Sequence, residues 1–253
     1  MNFKKLILIT FLPVLLASCS TKTWTVIHAT SMKIPIDNTT DAIADRDYIT
    51  YLQPLKQQLG VKMNVVIGQA AEMMKGHAPE SLLSNFSADV YRQAGTDYLS
   101  QPVDISIVNL GGLRTVIPEG NITIGKVFEL MPFENELVIL WLKGDKLQEL
   151  IQFFARVGGE GISGIRMEIN NGKAVDVTVN GNAINLEKIY SIATSDYLAG
   201  GNDKMIQLAQ YEKRQNTGIK LRDILLNYIK NETAKGNKIQ AKLDGRTKIT
   251  PNP

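Results

Sequence analysis

The stretch from Ile107 to Leu142 holds the residues best suited to chemistry. A buried-strand run, Asp104-Ile105-Ser106-Ile107-Val108, turns through Asn109-Leu110-Gly111-Gly112 into Arg114. Paired glycines just past a strand let the backbone approach a ligand that a Cβ would hold off. The planar fork of Arg114 suits phosphate or a sugar oxygen. Met131-Pro132-Phe133-Glu134-Asn135 then places a ring after a proline-fixed bend, at the entry to an apolar strand, Leu137 to Leu142. Such parts fit a nucleotide, with donors for its polar end and a flat face for its base.

Other reactive side chains are sparse. His28 and His77 are the only histidines and stand far apart, and Cys19 is the only cysteine. A lone His reads as a surface or hydrogen-bonded residue, and no disulfide can form, so the fold rests on its core. Lys4-Lys5, the apolar run Leu6 to Leu16 and then Leu16-Ala17-Ser18-Cys19 form a targeting pattern too short to span a bilayer comfortably. The pattern resembles the bacterial lipobox, which implies cleavage before Cys19 and its acylation. Ser20 resembles the outer-membrane sorting pattern. The expected organisation is a signal peptide over 1–18, a lipidated cysteine and tether over 19–37, and one domain over 38–253. The formal charge is +3, and loss of Lys4 and Lys5 leaves 26 basic against 25 acidic residues, or +1. Nucleic acid is therefore not an expected partner, because binding it needs a concentrated basic face.

The elements that must position these residues are mixed. Trp24, Val26 and Ile27 are candidates for a first strand pairing. Helical spacing covers Asp41 to Leu59, with Pro54 as a kink and Gly60 as a stop. A strand is expected over Val61 to Ile67, and a helix over Pro79 to Leu99 with Pro79 in its first turn. Asp145 should cap a helix over Lys146 to Val157. Gly158 to Gly164 reads as a flexible connection. Ile165–Ile169 and Val175–Val179 form a hairpin closed by Asn170-Asn171-Gly172-Lys173. A strand over Ile189 to Thr194 leads into Ser195 to Asp203, and a helix over Thr217 to Ile229 precedes a short strand near Lys248-Ile249. The fold class is mixed α/β in several layers, not a strictly alternating parallel sheet.

Three segments together resemble the C-terminal domain of bacterial and animal 5′-nucleotidases. Asn109-Leu110-Gly111-Gly112-Leu113-Arg114 is similar to the family's Asn-x-Gly-Gly-(Ile/Val/Leu)-Arg. Met131-Pro132-Phe133-Glu134-Asn135 is similar to Leu-Pro-Phe-Gly-Asn, and Tyr197-Leu198-Ala199-Gly200-Gly201-Asn202-Asp203 to Phe-x-Ala-x-Gly-Gly-Asp. Ser84-Asn85-Phe86 resembles, more faintly, the family's Gly-Asn-Leu helix start. The resemblance implies that Phe133 and Tyr197 sandwich a base, that Asp203 accepts from ribose hydroxyls, and that Arg114 reaches the ribose and phosphate end. Asn109 and Asn135 would read the base edge, with Gly111 and Gly112 beside them. Read without the family, Phe133 is a candidate core residue, Gly200-Gly201 a plain turn, Arg114 a partner for Glu119 or Glu134, and Asp203 a cap.

There are departures. No arginine stands in register at the start of the second helix, where Lys75, His77 and Arg92 are the nearby candidates. Glu134 occupies a glycine position and brings a negative charge toward an anionic ligand. The Asp-x-His, Gly-Asp and Gly-Asn-His-Asp motifs of the family's two-metal phosphatase domain are absent. The resemblance thus implies a nucleotide-recognition half, inactive alone, with no catalytic residue, metal ligand or cofactor of its own. Divalent metals would belong to a separately encoded metallophosphatase partner. The alternative is a stand-alone nucleoside- or nucleotide-binding envelope lipoprotein without catalysis. Either would be lipid-anchored in the cell envelope, at the outer membrane facing the periplasm.

Overall fold

The computed structural model describes residues 24–34 and 45–250. Cys19, the rest of the targeting segment and residues 41–44 of the first expected helix lie outside them. Two compact units divide between Tyr51 and Leu52. In the first, residues 24–34 are exposed and form no strand. Trp24, Val26 and Ile27 therefore do not form the strand expected of them.

Helix α1 (Arg46–Met63) starts on Asp45, whose Oδ1 accepts from the N–H groups of Asp47 and Tyr48. It runs through both Pro54 and Gly60. A helical glycine costs only about 1 kcal/mol against alanine, which is too little to end the run. The expected strand over Val61 to Ile67 accordingly begins later, as β1 (Val66–Ala70) paired antiparallel with β3 (Gly120–Thr123). Gly68 lies inside β1, because α6 (Leu221–Ala234) crosses there. A Cβ at Gly68 would stand 2.6 Å from Thr233 Oγ1 and 2.7 Å from Ile229 Cγ2.

The central sheet has five strands in the order β10-β4-β9-β2-β5. These are β10 (Lys213–Lys220), β4 (Glu136–Lys143), β9 (Ile189–Ser195), β2 (Ile105–Val108) and β5 (Gly161–Ser163). Strands β2 and β9 are parallel, and the other neighbours are antiparallel. Leu137, Ile139 and Val108 share a core with α2 (Leu82–Leu99) and α6. Val138, Leu140, Leu142 and Ile107 face a second core with α4 (Gly144–Arg156) and a further sheet. Burial on both faces is why β4 reads as an unbroken apolar run from Leu137 to Leu142, and why β2 is apolar but for Ser106. The further sheet has the order β11-β6-β7-β8, from β11 (Thr247–Ile249), β6 (Ile165–Asn170), β7 (Lys173–Val179) and β8 (Asn182–Ala183). The β6–β7 hairpin turns at Asn171-Gly172 as the sequence predicts, with φ of 51° and 71°. The fold is a layered, mixed α/β domain.

Several boundaries differ from the sequence reading. Helix α2 starts after Ser81, whose hydroxyl and that of Ser84 cap each other's backbone N–H, so Pro79 precedes the helix. Helix α4 starts at Gly144, and Asp145 lies within its first turn. Gly158 to Gly164 contains strand β5 and is not a free connection. Thr217 to Lys220 belong to β10, where Thr217 Oγ1 donates to Leu137 O at 2.7 Å, and α6 begins only at Leu221.

This topology gathers one set of chain segments. Ser195, at the end of β9, stands opposite Leu137 near the start of β4. Val108, at the end of β2, stands opposite Gly161 at the start of β5, and Lys220 pairs with Glu136. The segments around Asn109, Asn135, Glu160, Tyr197 and Leu221 therefore leave the sheet at the same edge.

Candidate functional site

At that edge lies a pocket of about 330 Å³. Asn109, Gly111, Gly112, Arg114, Phe133, Asn135, Tyr197 and Asp203 all line it. So do Tyr91, Ile107, Met131 and Leu221.

The turn after β2 is a single 3-10 turn, Leu110–Gly112. A Cβ on Gly112 would meet Asn109 Oδ1 at 2.7 Å, so glycine there leaves room for the Asn109 side chain. Asn109 Nδ2 donates to Asp203 Oδ2 at 2.6 Å. The Tyr197 hydroxyl donates to Asp203 Oδ1 at 2.7 Å. Asp203 is thus the hub of a side-chain network and more than a cap. It holds a left-handed backbone, φ 53°, a region that Asp visits more readily than most residues. Gly200-Gly201 is indeed a turn, with φ 82° at Gly201, and Asn202 closes it by donating to Tyr197 O at 2.7 Å. The hydrogen bond to Asp203 holds the Tyr197 phenol above its ordinary pKa.

Phe133 is 43% and Tyr197 40% exposed, so neither ring is core. Arg114 does not pair with Glu119 or Glu134. Its Nη1 donates to Gly111 O at 3.1 Å, and its guanidinium carbon lies 6.0 Å from the Phe133 ring centroid. Glu134 is bound instead by Lys220 and Arg222. Those hydrogen bonds, Lys220 first, hold its carboxyl down at about 2. The charge expected to disfavour an anion is therefore already neutralised by two cations. The other basic candidates do not line the pocket. Arg92 donates to Val103 O and to Asn180 Oδ1, and His77 Nδ1 bonds Ala78 O.

Three further residues complete the site. Arg222 is buried, stacks 4.0 Å from the Phe128 ring centroid, and spans Met131 O, Pro132 O and Phe133 O at 3.4 Å each. Glu160 accepts from Leu110 N–H at 2.8 Å. Burial, reinforced by nearby Asp203, pushes its carboxyl up to about 7 against that hydrogen bond. Tyr91 is the third, on α2. None was visible as a site residue: Glu160 sits among glycines, and Tyr91 and Arg222 fall on helical spacing. Among the described residues, no three His, Cys, Asp or Glu side chains gather as metal ligands.

The chain is 27% identical over 236 residues to the trifunctional nucleotide phosphoesterase protein YfkN of Bacillus subtilis, covering 85% of this chain and 16% of that protein. It is 22% identical over 214 residues to a 5′-nucleotidase of Vibrio parahaemolyticus, covering 79% of this chain and 38% of that one. A crystal structure of a 5′-nucleotidase precursor from Thermus thermophilus superposes with a TM-score of 0.70 at 27% identity, covering 84% of this chain and 44% of that one. The chain thus spans less than half the length of these relatives. The sequence model described as "5′-nucleotidase, C-terminal domain" matches residues 65–210, and the chain belongs to that family.

Proposed function

We propose that this protein is the nucleotide-recognition half of a 5′-nucleotidase-type phosphoesterase, acting with a separately encoded metallophosphatase that supplies the two-metal chemistry. The observation that carries it is the meeting of two half-exposed rings, Phe133 and Tyr197, with Asp203 and Arg114 on one pocket. Stacking a base on an aromatic ring is worth about 1–3 kcal/mol and tolerates any base. Asp203 accepts from ribose hydroxyls, Arg114 serves the ribose and phosphate end, and Asn109 and Asn135 contact the base or sugar beside Gly111 and Gly112. The sequence carries two histidines and none of the family's metal-binding motifs, which supports assigning the hydrolytic step to the partner. The targeting pattern ending at Cys19 supports lipid anchoring in the envelope, at the outer membrane facing the periplasm. Two or more acyl chains anchor stably where one does not. Cys19→Ala should abolish incorporation of labelled palmitate.

The test is calorimetric titration with AMP, UMP and adenosine, beside a Phe133→Ala Tyr197→Ala variant. The reading requires binding that disappears in the variant. Adding a candidate metallophosphatase should then raise kcat/KM for nucleotide hydrolysis, and no rise with any such partner would remove the catalytic role. One observation favours a second reading, a nucleoside-binding lipoprotein without catalysis. Arg114 is the only basic side chain among the pocket lining. That reading requires adenosine to bind as tightly as AMP.

A further inference from the structure

Helix α1 carries an apolar face that no described residue covers. Leu52, Leu55 and Leu59 follow one another at helical spacing, so they stack on one side of the helix. They are 37%, 53% and 54% exposed, and α1 buries no side chain along its length. All three belong to the unit that carries the pocket. Apolar residues scattered singly over a surface need no explanation, but neighbours on one helix face form a patch that marks an interaction site. The helix also needs a cover for its own sake. Pro54 and Gly60 lie inside it, and both residue types oppose a helix interior. Helices in proteins are held chiefly by packing an amphipathic face, and in α1 that face is turned to solvent.

The flanks of the patch select its occupant. Lys56 and Lys62 stand beside the leucines, and no acidic residue occurs between Asp47 and Glu72. A second copy of the helix would bring only the same lysines to those flanks, with no carboxylate to pair them. A lipid surface suits a helix whose polar face is rich in cations, whereas here that face carries Gln53, Gln57 and Gln58. What fits is a protein groove with an apolar floor and carboxylates on its rim. The place of α1 in the chain points to the protein that holds such a groove. The matching family model is a C-terminal domain and begins at residue 65, just past the end of α1 at Met63. The rest of a longer family member therefore precedes this domain, on the side of the chain where α1 stands.

We propose that the face of Leu52, Leu55 and Leu59 is the docking surface for the metallophosphatase chain, seated in an apolar groove whose carboxylates meet Lys56 and Lys62. This rests on reading the protein as a recognition half with a separate catalytic partner.

The experiment places p-benzoylphenylalanine at Leu55 of the full protein, in the cell that makes it, with Val175 on β7 as the control position. Irradiation and mass spectrometry identify what is joined to each. The expected product at position 55 is a chain carrying the Asp-x-His and Gly-Asn-His-Asp motifs, absent at position 175. A second copy of this protein, a phospholipid, a different protein, no product, or equal capture at both positions would each overturn the proposal. Formaldehyde cross-linking of the parent protein separates the two levels. A phosphatase recovered there but not at position 55 removes this surface alone, and one recovered by neither route removes the two-chain reading as well. Leu55→Gln Leu59→Gln gives a second measure. Both side chains are exposed, so its Tm and its affinity for adenosine should match the parent's. Its affinity for the captured phosphatase should fall about tenfold or more, and undiminished affinity would overturn the proposal.

Discussion

The two rings of the pocket are held in opposite ways. Tyr197 is fixed at its tip, where the hydroxyl donates to Asp203, itself bound to Asn109. Phe133 has no polar tip and is fixed through its main chain, by the buried Arg222 reaching three successive carbonyls and Glu134. One ring is positioned by the groups that would meet a sugar, the other by an ion pair behind the loop. The Phe133 side should therefore answer to stability, and the Tyr197 side to the ligand and to pH.

The largest effect should come from cutting the support behind Phe133. Arg222→Met leaves Glu134 with Lys220 alone and takes a donor from the carbonyls of Met131, Pro132 and Phe133. Glu134 stays in solvent and loses little, but taking the buried donor from these carbonyls costs about 1–3 kcal/mol. Urea unfolding measures it, and an unchanged midpoint would mean that the loop holds itself. Next comes Asp203→Asn, which keeps a side chain tolerant of the left-handed backbone. It removes the charge that both Asn109 and Tyr197 address, and with it the charged acceptor for ribose. Nucleoside affinity should fall by about 1.5–3 kcal/mol, roughly 10- to 100-fold, with little loss of Tm.

Glu160 adds a pH dependence confined to the Asp203 side. Its carboxyl is raised to about 7 by burial, so folding favours its protonated form. The stability it contributes is complete below its ordinary range near 4.5 and is lost as pH rises through 7. Glu160→Gln keeps an acceptor for Leu110 N–H and removes the titration. At pH 8 the variant should exceed the parent by on the order of 1–2 kcal/mol, after allowance for screening, and at pH 4 the two should converge. Glu134 is held low and exposed, so the Phe133 side should show no transition in that window. Thermal unfolding of both proteins across this range measures the difference.

Much of this arrangement was legible because it is local. Asn109 to Arg114 and Met131 to Asn135 each adjoin a strand that is buried on both faces, and such strands announce themselves as largely apolar runs. Strand β10 did not. Lys213 to Lys220 carries Ile219 as its one aliphatic residue, because an edge strand facing water needs no apolar alternation. The strand expected over Val61 to Ile67 stops short of Gly68 for a related reason: the helix that requires a glycine there carries Ile229 and Thr233, distant in sequence. The support residues were hidden because burial is not local. Arg222 is a plain helical arginine until the Phe133 loop lies over it, and Tyr91 shares its spacing with the core residues Leu83 and Val90. Glu160 becomes unusual only when β5 pairs with β2 and removes it from water.

The smallest predicted effect separates the two anchoring modes most directly. Tyr197→Phe keeps the stacking face, matches the phenylalanine of the family pattern and cuts only the tether to Asp203. If the tether pre-orients the ring, the ring must be ordered at the moment of binding, and affinity falls by about 1 kcal/mol, roughly fivefold. If the tyrosine instead occupies an oxygen that a ribose hydroxyl needs, the same change raises affinity. Asp203 separates these cases, because a carboxylate has about four acceptor positions and Asn109 and Tyr197 use two. Room for a ribose remains, so loss of affinity is the expected sign. Calorimetry with adenosine reads it, and a matched loss for an acyclic analogue without the ribose diol would place the effect on the ring and not on competition for Asp203.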